Sequence, residues 1–377
     1  MTSCAKYGLH YSEDQDQWKD VYIPSEDLSF RLYLIGDAGN APENEYPLFF
    51  NTLRDILSEE EVHSACLWLG DNLYPVGLPP TSHPDYGRGK YRILSQAKTT
   101  LDFNGKVFFI PGNHDWYTFG KAGLNRQEEL IEDFLSMNKK YKNQLPDTYF
   151  IPDDGCPGPI VRTLAPNVLL VVIDSQWWLR NMEISAEPEY HCKINSVKEL
   201  ELKLENILQS NTDKTIILAS HHPPLTYGNH GGHYTWNQHF FPLSQLHPTL
   251  LLPLPVTGLL FNRLNSYISI QDKDHPVYKG YRESLIKAAS EHGNTIITSG
   301  HEHNLQFLKK DGVPLIISGA GSKRTPVGTG KETIFSAAEL GLVTIDFFAN
   351  NPPIVRFWIH TNNNLSEVYR TKIHEAD

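Results

Sequence analysis

Five short segments of this chain carry side chains suited to gripping metal ions. They are Gly36-Asp37-Ala38-Gly39-Asn40, Gly70-Asp71-Asn72-Leu73-Tyr74, Gly112-Asn113-His114-Asp115, Ser220-His221-His222-Pro223 and Gly300-His301-Glu302-His303-Asn304. Together they offer carboxylates, a carboxamide, a phenol and imidazoles, and no thiolate. Oxygen and nitrogen donors of this kind suit Fe, Mn, Zn or Co rather than Cu(I) or a cluster. They outnumber the roughly four to six positions of one ion, and a carboxylate can bridge two. A dinuclear site follows, and such sites are typical of phosphate-ester chemistry. Any one segment alone is a common turn sequence; their number and order carry the inference.

Each segment must be held by something. The apolar runs at residues 30–35, 65–69, 107–110, 168–173, 215–218, 295–297 and 315–317 predict strands. Their lack of alternation predicts burial on both faces. Helical spacing recurs between them at residues 46–60, 126–137, 197–208 and 281–292, with Ser196 and Glu199 set as a capping box for the third. Strands alternating with helices predict an α/β fold with a covered sheet. Ligands of such sheets gather at the carboxyl ends of the strands, which is where the five segments stand. Residues 341–347 and 354–359, split by Asn350-Asn351-Pro352-Pro353, predict two strands and a turn. Residues 1–29 predict a polar extension and residues 73–104 a loop punctuated by Pro and Gly. Residues 232–280 predict a long insertion, which forms either a wall or lid over the cleft or a packed surface excursion far from the site.

Composition excludes several classes. Of 377 residues, 44 are acidic and 33 are Lys or Arg, a net charge of −11 that argues against a nucleic-acid surface. With 40% hydrophobic and 20% charged residues the chain can bury a core. No apolar run reaches the ~18 residues of a membrane helix; the most apolar stretch, 250–261, is broken by Pro253 and Pro255. Cys4, Cys66, Cys156 and Cys192 form no CxxC pair. Cys66 predicts core filler, and Cys156 and Cys192 pair if the compartment is oxidising. Ser3-Cys4-Ala5 resembles the junction of a bacterial lipoprotein. A lipid anchor at Cys4 and a periplasmic or cell-surface location are therefore expected, with a cytoplasmic location as the alternative.

The ordered segments resemble those of the calcineurin-like metallophosphoesterase superfamily. The first departs from that pattern, since Gly39 stands where His is usual, and Tyr74 appears three residues after Asp71. This exchange resembles the small, tartrate-resistant type of purple acid phosphatase. The similarity spans residues 30–321 and includes the stretch from Leu69 to Tyr74, that from Gly300 to Gln306, and Ser318-Gly319-Ala320-Gly321. It implies a four-layer α/β/β/α sandwich, a single main domain over residues 30–377 that carries the insertion. It implies that Asp37, Asp71, Tyr74 and His303 hold Fe(III). Asp71 would bridge to a divalent ion (Fe, Zn or Mn) held also by Asn113, His221 and His301. His230, nine residues after His221 and followed by Gly231, would contact the phosphate with His114 and Asn113 and, with His114, serve the leaving group.

The reaction so implied is hydrolysis of a small phosphate monoester. A metal-bound hydroxide attacks phosphorus in line, and a His protonates the leaving alkoxide. Two alternatives use the same residues: a phosphodiesterase or nucleotide pyrophosphohydrolase, and a surface-attached binding module with a vestigial site. His222 fills a non-ligand position. Asp115 either fixes the tautomer of His114 or caps the segment after it. His233, His239 and His247 are expected to face solvent. Trp116, Tyr117, Trp177 and Trp178 either wall a pocket or fill the core, and Lys323-Arg324 either binds an anion or forms a solvated turn.

Overall fold

The computed structural model describes residues 5–12, 16–43, 46–141, 148–180, 192–241 and 269–373. Cys4, His247 and the apolar centre of the insertion lie outside the described residues.

Two sheets stack face to face. In the six-stranded sheet, β2 (Leu28–Ile35) pairs in parallel with β3 (Ser64–Trp68), and β3 with β4 (Lys106–Phe109). On its other side β2 pairs antiparallel with β12 (Gly341–Phe348), followed by β13 (Ile354–Thr361) and β14 (Asn364–Lys372). The eight-stranded sheet has a parallel centre: β6 (Val168–Val172), β7 (Thr215–Ala219), β8 (Thr295–Ser299) and β10 (Val313–Ser318). Antiparallel strands finish its edges: β5 (Ile160–Ala165) on one side, then β9 (Leu305–Lys310), β11 (Thr333–Ala337) and β1 (Leu9–Tyr11) on the other. The last of these lies within the N-terminal segment, where Leu9 pairs with Ala337.

The unbroken apolar runs have a simple cause. One face of each central strand enters a layer shared by both sheets, with Leu32, Leu34 and Leu67 against Leu170, Ile217 and Ile296. The opposite face of the six-stranded sheet, including Ile35, Cys66 and Trp68, lies under helices α1 (Leu48–Ser58), α2 (Tyr86–Lys98) and α4 (Gly120–Asn138). On the far sheet, Val171, Ile216 and Leu218 lie under α5 (Ser175–Leu179), α6 (Val197–Gln209) and α7 (Pro276–His292). Helices, sheet, sheet and helices make four layers. Each buried aliphatic or aromatic side chain contributes roughly 1.5–3 kcal/mol, so this layering supplies the main drive to fold.

Helix α2 occupies the stretch that the sequence presents as a loop. Gly87 and Gly89 depress its intrinsic propensity, yet Ile93 and Ala97 bury against the sheet and tertiary packing prevails. Strand β14 extends the C-terminal pair to three; its residues are half-buried or exposed, so no apolar run marks it. Cys156 and Cys192 are joined in a disulfide, Cα to Cα 5.5 Å, while Cys66 is free and buried. Among the described residues, no helix is long and apolar enough to cross a membrane.

Candidate metal centre

Asp37 follows β2, Asp71 and Tyr74 follow β3, and Asn113 opens the short helix α3 (Asn113–Trp116) after β4. His221 follows β7, and His301 and His303 follow β8. All seven meet where the carboxyl ends of the two sheets converge, as the switch-point rule for α/β sheets requires. The turns that aim them are tight. Asp37, Asp71 and His301 hold φ values of 57°, 54° and 69°, a left-handed conformation that costs a non-glycine residue on the order of 1–3 kcal/mol. Neighbours impose it: the Asp37 amide donates to the Gly70 carbonyl at 3.0 Å, and the His301 amide donates to Asp37 Oδ2 at 2.8 Å. Gly70, at φ 87°, passes so close to His221 that a Cβ there would lie 2.7 Å from Nδ1.

The donors touch one another. Tyr74 donates its hydroxyl to Asp37 Oδ1 at 2.9 Å, and Tyr74 Oη lies 3.0 Å from His303 Nε2. Asn113 Oδ1 lies 3.0 Å from His221 Nε2 and 3.1 Å from His301 Nδ1. His221 Nε2 is 3.4 Å from Asp71 Oδ1, and its Nδ1 faces the Leu69 carbonyl at 2.8 Å. That backbone contact fixes the proton on Nδ1 and leaves the Nε2 lone pair for the centre. Asp37, Asp71 and His221 each offer a donor atom within 4.8 Å of the others.

The electrostatics call for cations. Burial, and then the charge of Asp71, push the Asp37 carboxyl well above the usual carboxylate range. Burial, then Asp37 and Asp71, drive the Tyr74 phenol upward as well. Burial also acts upward on Asp71, but His221, His114 and the His114 amide outweigh it and bring this carboxyl down to about 2. Burial lowers His221, His301 and His303, the last to about 3. Closely packed buried carboxyls, a phenol and neutral imidazoles are costly without compensation, and metal ions replace their protons readily. The donor set fits a pair of ions.

Gly39 explains the departure from the usual first segment. A Cβ at this position would lie 2.3 Å from the Leu73 amide nitrogen and 2.4 Å from the Asn72 carbonyl carbon. A histidine has no room there, and Tyr74, on that same packed turn, brings its oxygen to Asp37 instead.

Two histidines flank the cluster. His114 places Nδ1 2.6 Å from the Pro75 carbonyl, with its ring 4.4 Å from that of Tyr74. His230 places Nδ1 2.8 Å from Asp272 Oδ1, with its ring 4.1 Å from that of His301. Burial lowers the basicity of His230, but the hydrogen bond and charge of Asp272, with Glu302, raise it to about 9. Asp115 does not cap the segment after it: it is the third residue of α3, and its carboxylate reaches back to accept from the amides of Gly112 at 2.7 Å, Leu73 at 3.1 Å and Asn72 at 3.2 Å. The tautomer of His114 is set by Pro75 instead. His222 is tied to Ser175 Oγ at 2.8 Å and to Gln271, away from ligand duty.

Several residues of the site gave no sequence signal. Gln271 and Asp272, at the returning end of the insertion, contact His222, His301 and His230. Glu302 accepts from Thr226 Oγ1 at 3.1 Å and from the Gly231 amide at 3.2 Å, bracing the turn that carries His230. Lys323 does not form a solvated turn; its Nζ lies 3.2 Å from the centre of the Tyr74 ring, while Arg324 pairs with Glu339 at 2.6 Å. His233 is buried, not solvent-facing, with its ring 4.9 Å from that of Tyr227. Trp116, Trp177 and Trp178 are core residues, Trp116 donating to Asp174 at 2.8 Å. Tyr117 Oη accepts from Asn113 Nδ2 at 3.0 Å.

Two facing sheets with this donor cluster at their carboxyl ends define a metallophosphoesterase fold. The chain matches the calcineurin-like phosphoesterase family over residues 30–319 and belongs to it. Among solved structures it is similar to the purple acid phosphatase PPD1 from yellow lupin (Lupinus luteus) seeds, at 13% identity and a TM-score of 0.50, covering 91% of this chain and 53% of that one. It is similar to PhoD at 12% identity and 0.51, covering 92% and 72%. It is also similar to GAP50, the anchor in the inner membrane complex of Plasmodium, at 15% and 0.56, covering 93% and 90%. Identities this low speak to the fold alone. No curated protein matches by sequence.

Proposed function

We propose that this phosphoesterase hydrolyses small phosphate monoesters at a dinuclear centre of Fe(III) and a divalent ion. The observation that carries this reading is the place of Tyr74, whose hydroxyl reaches both Asp37 and His303 beside a Gly39 that admits no histidine. Asp37, Tyr74 and His303 would hold the ferric ion, Asp71 would bridge, and Asn113, His221 and His301 would hold the divalent ion. When bound, the two cations supply a nucleophilic hydroxide and offset charge on the phosphoryl group.

The chain's own residues do the rest. His114 and His230 each have Nδ1 engaged, so Nε2 is the atom from which each gives a hydrogen bond or a proton. Asp272 keeps His230 charged, ready to protonate a leaving alkoxide. Asn113 is fixed by Tyr117, which orients its amide. The disulfide between Cys156 and Cys192 supports an oxidising compartment, so a periplasmic or cell-surface location with a lipid on Cys4 belongs to the same proposal; cell fractionation and mass analysis of the N-terminal peptide test it.

The central test is metal analysis with a visible spectrum, alongside rates on a monoester and a bis-aryl diester. The expected result is iron with a second ion, a purple or pink protein, and preference for the monoester. Two divalent ions in a colourless, fully active enzyme would overturn the ferric assignment. Faster diester or dinucleotide cleavage would make the protein a phosphodiesterase.

A further inference from the structure

Lys323 lies on a turn clamped to two of the proposed ligands. Immediately before it, Ser322 donates its hydroxyl to the Asp37 carbonyl. Two residues after it, the Thr325 amide donates to the His303 carbonyl at 2.7 Å. Between these anchors the half-buried Lys323 carries its ammonium 3.2 Å from the centre of the Tyr74 ring. Among the described residues it makes no ion pair within 4.0 Å; the charges facing it at longer range are Asp71, Asp37 and Arg92. A lysine loses much rotamer freedom when fixed this way, so a contact with the ring must offset the loss.

We propose that Lys323 is a positioning residue for Tyr74, holding a cation on the face of the phenol that binds the ferric ion. A cation above an aromatic ring attracts its π electrons and lowers their energy. The ammonium stands nearer to the ring than to anything bound beyond the hydroxyl, so the phenolate orbitals are lowered more than the empty orbitals of the ion. The charge-transfer band then falls at shorter wavelength, and the ion accepts an electron more readily.

This rests on the proposed Tyr74–iron bond, and the experiment separates the two. Visible spectra are recorded for the native protein and for Lys323→Met, Lys323→Gln and Lys323→Arg, each loaded with iron. Both neutral variants should move the band to longer wavelength; Lys323→Arg should hold it near the native position. At one potential fixed by mediators, the ferric-to-ferrous ratio should rise about tenfold in the neutral variants, on the scale of a single cation–π contact, or ~59 mV for one electron. A native protein without the band overturns the iron reading and this inference with it. A native band that the neutral variants leave unmoved, with KM for the ester raised instead, overturns this inference alone and makes Lys323 a phosphate contact. Should one neutral variant fail to fold, the other decides.

Discussion

Replacing Asp272 with Asn tests whether the His230–Asp272 pair delivers a proton. The change keeps the size of the side chain and an oxygen facing His230 Nδ1, now 2.8 Å away, and removes only the charge. In the native chain burial works against the imidazolium, and Asp272 with Glu302 raises it to about 9. A raised value keeps the charged, donating form up to higher pH and loses it as pH climbs through that value. His230 is 38% exposed, so water screens part of the attraction. A rise of between about 1 and 2.5 units above the ordinary ~6.5 is therefore carried forward. With a neutral partner the imidazole falls to ~6.5 or below, and at about pH 8 its protonated fraction drops roughly 8- to 30-fold. At about pH 5 both proteins are charged and the difference closes. Bound cations disfavour the proton in both proteins and move both curves to lower pH, so the deciding result is that the loss shrinks as pH falls. The assay is kcat/KM for an alkyl phosphate across this range, with metal content measured alongside. A loss of the same factor at every pH would show that Asp272 only orients the ring, and no loss at all would remove His230 from the reaction.

Tyr74→Phe should abolish the visible band while the circular dichroism of the fold is kept; a band that survives assigns the colour elsewhere. Asn113→Ala and His221→Ala each remove a metal donor, so ion content and turnover should fall together. His114→Ala should keep both ions and lose ~10²–10⁴ in rate on alkyl esters. That loss should be smaller on nitrophenyl esters, and an equal loss on both would restrict His114 to orienting the phosphate. Chelation should lower the melting temperature by on the order of several degrees, because ions bound only to the native state stabilise it; a scan unchanged by chelator would show that the donors are satisfied without metal.

Most of the candidate donors were legible because they stand at a local event: an unbroken apolar run, a glycine, then an oxygen or nitrogen side chain within a few residues, with Ser220 in the glycine's place before His221. Gly70-Asp71 and Gly112-Asn113 announce themselves within two residues. Asp272 has no such signature, since it meets His230 from 42 positions away across the insertion. Lys323 was visible as a charge but not as a neighbour of Tyr74, because its placement depends on backbone bonds to Asp37 and His303. Asp115 offered two local roles in the sequence, and the structure gives it a third: it braces the turns before it through the amides of Gly112, Leu73 and Asn72, the last two 42 and 43 positions away. The central strands were readable because both faces are buried. Helix α2 was not, because its glycines hide a helix that packing alone secures.

The donors are divided by origin. Asp37, Asp71, Tyr74 and Asn113 hang from the six-stranded sheet, and His221, His301 and His303 hang from the eight-stranded one. Ions held between them would form a clasp across the joint of the sandwich, beside cross-sheet bonds such as Ser318 Oγ to the Leu34 carbonyl at 2.7 Å. A clasp senses the spacing of what it joins. Shortening a side chain deep in the shared layer, as in Ile296→Ala, removes ~2–5 kcal/mol of packing and lets the sheets shift against each other. Such a variant should release metal at a denaturant concentration where its helices are still intact, and simultaneous loss of both signals would show that the joint does not move on its own. Ion occupancy then serves as a gauge of how firmly two halves of the molecule are pressed together, far from any residue that touches the ions.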